Sequence, residues 1–219
     1  MEKMKLITGI LVFGSLWGFS ECIIGSALHD AGLPTGAIMT GLFAVVLMMM
    51  SRMLYKQRGM QIGMGFVAGV LRLFSPLGGN VGYFICSAIA IIAEGMIFEL
   101  IWYKISLDLN ELKPFKISSS MGIITAYCCY VGGYIVTQIL TPVLSSAGFH
   151  IVNLIVFIPQ MLATGLLAAL IGGVVVPLTL QLKKFDITIK DHLYYPTTIG
   201  VSILCWFIVI SNTILISST

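Results

Sequence analysis

The sequence predicts an all-α integral membrane protein, a bundle of about seven transmembrane helices. Its 219 residues are 58% hydrophobic and only 10% charged, whereas a soluble domain is roughly 45–50% apolar and about 25% charged. The mean hydropathy is +1.02. The apolar runs are long and continuous, as bilayer-crossing helices require, whereas barrel strands would alternate apolar and polar residues. This composition excludes a nucleic-acid-binding protein and favours one transmembrane domain over residues 1–219.

Turn and charge signals divide the chain into seven apolar runs. The first is interpreted as a span, because it is long and no small-residue cleavage site follows it. The third is short and ends at Pro76, and the sixth carries Pro159 and Pro177, which predict a tilt, a kink or trimmed ends. In order, the predicted spans are 4–28, 36–54, 59–75, 81–103, 118–141, 151–181 and 195–217.

The basic residues predict the orientation of the spans. Eleven of the 12 Lys and Arg residues cluster at the start of span 1 or around the ends of spans 2, 4 and 6, so seven spans place them all on one side. By the positive-inside rule this side is cytoplasmic, which puts the N-terminus inside and the C-terminus outside. In this scheme Arg52, near the inner end of span 2, is grouped with the loop residues Lys56 and Arg58.

Four Asp, Glu, Lys or Arg residues fall inside the predicted spans, at least three residues from the nearest end: Glu21, Arg72, Glu94 and Glu99. A charge in the bilayer interior is costly, so it usually faces a partner or a cavity. Glu21 and Arg72 have similar depths near the outer side. They predict a polar pocket in which Arg72 binds an anionic group. The alternative is a salt bridge that only orients two helices. Glu94 is expected to face the same cavity, and Glu99 to lie at an inner-end interface.

Other residues complete the predicted substrate site by their location. Asn80 lies at the outer end of span 4, and the aromatic rings of Trp17 and Tyr83 are expected to pack against the apolar part of the ligand. No catalytic residue is predicted, because the sequence has no GxxxxGK[ST], GxSxG or HExxH motif.

His29 and Asp30 form the only adjacent titratable pair on the outer side. With Glu21 two turns below them, they predict a metal site with one nitrogen ligand and two carboxylate ligands. The alternative is a polar turn in which Asp30 satisfies loop geometry. A further alternative is an intramembrane enzyme that uses these three residues as acid–base or metal groups.

Span 1 also carries a stripe of small residues, Gly14-x3-Gly18. Small residues at this spacing let two helices approach closely. The stripe therefore predicts either packing within one bundle or a contact with a second membrane protein.

Taken together, the small size, the N-terminus inside, the Gly14 and Gly18 stripe and the short third span resemble the substrate-binding membrane subunit, or S component, of energy-coupling factor transporters. The resemblance covers about residues 4–181, with 195–217 as an extra helix. It implies a six-helix bundle with an outward-facing pocket. It also implies that Gly14 and Gly18 contact a membrane coupling subunit and that separate ATPases supply the energy.

On this resemblance, we expect a transport component of the prokaryotic plasma membrane. It would bind a small, vitamin-like molecule, anionic if Arg72 is its anchor, and pass it inward without a cofactor. Three alternatives stay open at this point: a transition-metal uptake subunit, an intramembrane enzyme and a non-transporting assembly subunit. The last predicts a direct Glu21–Arg72 pair with no cavity between spans 1, 3 and 4.

Overall fold

The structure, a computed structural model, describes residues 2–74, 81–103, 115–145, 151–182 and 191–217. In these ranges the chain forms helices joined by turns and contains no strand. This confirms the predicted all-α class.

The first two helical segments each change winding part-way along. The first comprises α1 (Glu2–Phe19), a π-helical turn that we call π1 (Ser20–Ile24) and α2 (Gly25–Asp30). The second comprises α3 (Thr35–Ile38), the π-helical π2 (Met39–Ala44) and α4 (Val45–Tyr55). The remaining helices are α5 (Met60–Arg72), α6 (Val81–Tyr103), α7 (Phe115–Ser145), α8 (Ile151–Gln181) and α9 (Asp191–Ser217).

Residues with a left-handed backbone conformation separate the first two helical segments from each other and from α5. Gly32 has φ +70° in the turn between α2 and α3, and Lys56 and Gly59 have φ +48° and +80° between α4 and α5. A residue in this conformation ends a helix, because it turns the chain away from the helix axis. The backbone therefore reverses at residues 31–34 and again at 56–59.

Six helical stretches are long and apolar enough to cross a membrane, which agrees with a multi-pass membrane protein. The helix α5 is apolar but has only 13 residues, about 20 Å at 1.5 Å per residue. This matches the prediction of a short third span. The helix α8 runs without a break through both of its internal prolines. The stretches are Lys3–Asp30, Thr35–Tyr55, Ile85–Tyr103, Phe115–Leu140, Phe157–Gln181 and Tyr194–Leu215.

The helices pack as a ring, with α9 at its edge. Going around the ring, α1 packs on α5, α5 on α6, α6 on α7 and α7 on α8. The ring closes through α4 and π2, which contact α8, while α4 also contacts α1. The helix α9 lies mainly along α1, where Trp206 Nε1 donates to Ser15 Oγ at 3.0 Å. A six-helix ring with one peripheral helix is therefore the arrangement of the described segments.

The outer surface of the bundle is apolar. Large aliphatic and aromatic side chains are solvent-exposed along several helices; Leu170 and Phe207, for example, are 67% and 66% exposed. Exposed apolar surface on this scale is rare in water-soluble monomers and is typical of a face that meets lipid or another protein.

The structure corrects the grouping of Arg52 with the loop residues. Arg52 lies in the last turn of α4 and is fully buried. Its Nη1 is 4.0 Å from Glu99 Oε1, and its Nη2 donates to the backbone carbonyl of Trp102 at 2.5 Å. Gln61 is fully buried and donates to Ser51 Oγ at 3.3 Å. A buried polar cluster therefore stands where the sequence predicted a residue grouped with a cytoplasmic loop and an interface glutamate.

Candidate functional site

Three helix faces enclose a polar cavity inside the ring, which we call the Glu94 cavity. Each helix contributes residues about one turn apart, which is the spacing that places side chains on one face. The cavity has a volume of about 240 Å³. It lies between α3–π2, α6 and α7. Its lining residues are Gly36, Thr40, Cys86, Ser87, Ala90, Glu94, Tyr130, Tyr134, Thr137 and Gln138.

Glu94 is the charged residue of this lining. It lies near the middle of the candidate span Ile85–Tyr103 and is only 7% exposed. The hydroxyl of Thr40 donates to Glu94 Oε1 at 2.7 Å. The second oxygen, Oε2, has no hydrogen-bond partner in the described part of the chain. A buried carboxylate oxygen without a donor is costly, so the geometry leaves one strong acceptor unused beside a cavity.

The π-helical turn π2 positions Thr40. In a π turn one extra residue is accommodated, so the side chains that follow are rotated relative to a regular α-helix. Such turns occur frequently at functional sites. In π2 the turn places Thr40 opposite Glu94, and its Gly41 packs against the backbone of Ala168 in α8. The turn π2 therefore contributes Thr40 to the cavity and packs against α8 through Gly41.

Glycine also allows Glu94 to lie against α7. A Cβ atom added to Gly133 would be 3.2 Å from Glu94 Cγ, which is tight for a side-chain contact. The thiol of Cys129, one turn earlier, contacts the backbone carbonyl of Glu94 at 3.6 Å. The two residues show that α6 and α7 approach closely at the depth of the carboxylate.

Arg72 and Glu21 lie beside the cavity rather than in its lining. Arg72 Nη1 donates to the backbone carbonyl of Glu21 at 3.0 Å, and Arg72 Nε donates to Ser87 Oγ at 3.0 Å. The fully buried Trp17 donates through Nε1 to Glu21 Oε1 at 3.4 Å. Ser87 itself lines the cavity. Arg72 therefore joins α5 to π1 and α6, and it supports the wall of the cavity from behind.

The sequence placed the pocket between spans 1, 3 and 4, whereas the observed cavity lies between spans 2, 4 and 5 and shares only α6 with that expectation. Of the predicted substrate residues, Glu94 lines the observed cavity, whereas Glu21, Arg72 and Trp17 form the neighbouring network. Asn80 and the side chain of Tyr83 lie outside the described residues.

The predicted metal ligands do not come together. His29 and Asp30 are exposed at the end of α2. Across the ranges that the structure describes, no group of three or more His, Cys, Asp and Glu side chains is placed to hold a metal ion. The set of Glu21, His29 and Asp30 expected from the sequence is therefore not formed, because Glu21 points to Trp17 within the bundle.

Gly14 and Gly18 are buried in a contact within the chain. A Cβ at Gly14 would be 2.9 Å from the Met64 carbonyl, and one at Gly18 would be 3.1 Å from Ala68 Cα. The stripe therefore serves the close packing of α1 on α5. A coupling subunit that docks on this chain would have to use residues other than these two glycines.

A second polar space adjoins the Glu94 cavity and shares Tyr130 and Tyr134 with it. Its volume is about 260 Å³, and Phe157, Gln160, Met161 and Thr164 complete its lining. Each space is slightly smaller than a typical small-molecule pocket, roughly 300–1,000 Å³, and the two tyrosines lie between them.

A larger groove of about 390 Å³ between α1 and π2–α4 does not compete as a site. It is lined almost entirely by apolar side chains, including Leu16, Phe19 and Phe43. A site that fixes the orientation of a ligand needs convergent polar groups, and this groove resembles the rest of the apolar surface.

Sequence reasoning missed most of the cavity lining, although the pattern was present. Tyr130, Tyr134 and Thr137 follow one another at i, i+4 and i+7, and Ser87 and Glu94 are seven residues apart. Polar side chains repeated on one face of an apolar helix indicate a face turned away from lipid. Thr40 has no polar neighbour at helical spacing, and its position depends on the π-helical turn, which leaves no sequence signal.

Comparisons of the chain with protein-family models, with curated proteins and with solved structures found no match. The site is therefore interpreted from its own geometry.

Proposed function

We propose that the protein is a membrane transport component that binds a small molecule in the Glu94 cavity. The main support for this proposal is a polar cavity beside Glu94, a mid-span residue. One oxygen of its buried carboxylate has no hydrogen-bond donor within the described chain. An ionisable side chain at membrane depth usually marks a pathway or a ligand site. Structural packing alone would not require an open space beside it.

The cavity also supports binding over a purely scaffolding role. A scaffold is expected to fill its interior, because voids cost stability. Here hydroxyl, amide and aromatic groups surround the space instead. Arg72 contacts Glu21, as the assembly-subunit alternative predicts, but the open space beside Glu94 leads us to prefer a transport component.

We further propose that binding and energy supply are divided between chains, as the resemblance to S components implies. The sequence has no P-loop motif with which to bind nucleotide. In this proposal the N-terminus is cytoplasmic, the cavity opens toward the outside of the cell membrane, and a coupling subunit with ATPases drives release inward. The distribution of basic residues supports the orientation.

The test is to identify the small molecules that co-purify with the protein. We expect native mass spectrometry of the wild-type chain to show a bound molecule that is lost in Ala90→Leu. Ala90 lines the cavity, so the larger side chain would fill the space beside Glu94.

Ala163→Leu is the matched control, because Ala163 is exposed on α8 and adds the same bulk outside the cavity. Retention of the molecule in Ala163→Leu and its loss in Ala90→Leu, with equal melting temperatures, would support the proposal. Equal retention in both variants would contradict it.

A further inference from the structure

We infer that the ligand of the Glu94 cavity is a small organic molecule with an ammonium group. This inference rests on the proposed function and names the chemical class of its ligand. It departs from the anionic ligand that the sequence predicted.

The charges around the cavity favour a cation. Among the described lining residues of the cavity and the adjoining space, Glu94 is the only Asp or Glu, and there is no Lys, Arg or His. A second negative charge placed beside Glu94 would be desolvated and repelled. A positive charge would be attracted by the same carboxylate.

The hydrogen bonds favour a donor at the same place. Glu94 Oε1 already accepts from the Thr40 hydroxyl, while Oε2 has no partner in the part of the chain described. An ammonium group brings three N–H donors and no acceptor. Bound beside Glu94, it would bring a countercharge and place N–H donors next to the carboxylate.

The two tyrosines favour an organic cation over a bare metal ion. Tyr130 and Tyr134 lie one turn apart on α7 and line both spaces. Aromatic rings attract an ammonium group through their π faces and also pack against an apolar body. A hard metal ion would instead need several oxygen ligands around it.

Arg72, which the sequence offered as the anchor of an anion, has donors that already serve the fold. Its Nε and Nη1 donate to Ser87 Oγ and to the Glu21 carbonyl, and the side chain is 4% exposed. An anionic ligand in the cavity would contact Glu94 directly, whereas Ser87 would separate it from the guanidinium of Arg72.

The experiment measures binding of two probes of similar size by calorimetry at pH 7, with detergent-purified protein. The probes are phenethylamine, which is cationic, and 3-phenylpropionate, which is anionic. We expect the wild-type chain to bind the amine more tightly than the acid. In Glu94→Gln the amine affinity should fall roughly thirtyfold or more, because a buried charge partner is lost.

Glu94→Gln keeps an oxygen that can accept from Thr40, so the variant is expected to fold; its melting temperature checks this. Tyr134→Leu provides a second variant and should weaken the amine severalfold with the carboxylate in place. Tighter binding of the acid, or unchanged amine binding in Glu94→Gln, would overturn the inference.

Failure of the inference and failure of the proposed function give different results. If a co-purified molecule is displaced by Ala90→Leu but lacks a basic nitrogen, the ligand class is wrong and the proposed function stands. If nothing co-purifies and neither probe binds, both are wrong.

Discussion

At the scale of single residues, the most consequential feature is the set of polar and charged side chains buried inside the bundle. The sequence shows which residues are out of place in lipid, because hydropathy fixes the depth of Glu94 and Glu99 in their helix. It does not show their partners, since hydropathy leaves the rotation of each helix free. Thr40 and Arg52 were missed for this reason. Both look ordinary in the sequence, and only packing brings them to Glu94 and Glu99.

The Arg52–Glu99 pair leads to a stability prediction. Arg52→Met should lower the free energy of unfolding by about 3–5 kcal/mol, because it leaves the buried Glu99 carboxylate without its cation. The double variant Arg52→Met/Glu99→Met should recover most of this loss, since no buried charge then remains. Thermal and denaturant unfolding in detergent would measure both.

Arg58→Met is the matched control for this pair. Arg58 is exposed, and its guanidinium lies 4.3 Å from the centre of the Tyr103 ring. Its loss should cost at most about 1 kcal/mol. If Arg52→Met is as mild as Arg58→Met, the buried cluster does not stabilise the fold as described.

At the scale of helices, the sequence predicted where each helix lies along the chain but not where the helices change from α-helical to π-helical winding. Seven apolar runs predicted the seven helical segments of the described ranges, and the short third run corresponds to the short α5. The π-helical turns within the first two segments were not predicted, because they arise when tertiary contacts override the regular α-helical hydrogen bonds. The bundle is also closer-packed than spacing alone could show, most clearly where α7 meets α8.

Gly122 and Gly172 make this contact between α7 and α8. A Cβ on Gly122 would collide with the carbonyl of Gly172, and backbone cannot move aside as a side chain can. We expect Gly122→Ala to lower the free energy of unfolding by about 1–3 kcal/mol, the usual cost of overpacking. A thermal unfolding series in detergent measures it.

Gly200 in α9 is the matched glycine, because a Cβ added there would meet open space. Gly200→Ala should be neutral or stabilise by up to about 1 kcal/mol, because alanine favours the helix. Equal effects of the two substitutions would show that α7 and α8 are not in backbone contact.

At the scale of the whole molecule, the helix ring contains two separate polar sites, the Glu94 cavity and the Arg52–Glu99 pair. The Glu94 cavity combines an unused acceptor with an open space. The oxygens of Glu99 also lack a hydrogen-bond partner among the described residues, but Glu99 has the guanidinium of Arg52 4.0 Å away. The sequence predicted the bundle and a polar pocket near its outer side. It placed that site beside the wrong helices, because the order of helices around a ring follows from contacts between distant residues such as Thr40 and Glu94.

The most direct test of the central claim is a cryo-electron microscopy map of the protein purified with its bound small molecule. The account predicts ligand density between Glu94, Tyr130 and Tyr134, in contact with the Glu94 carboxylate. Density for that molecule in the apolar groove beside Leu16 and Phe43, with side chains filling the Glu94 cavity, would contradict it.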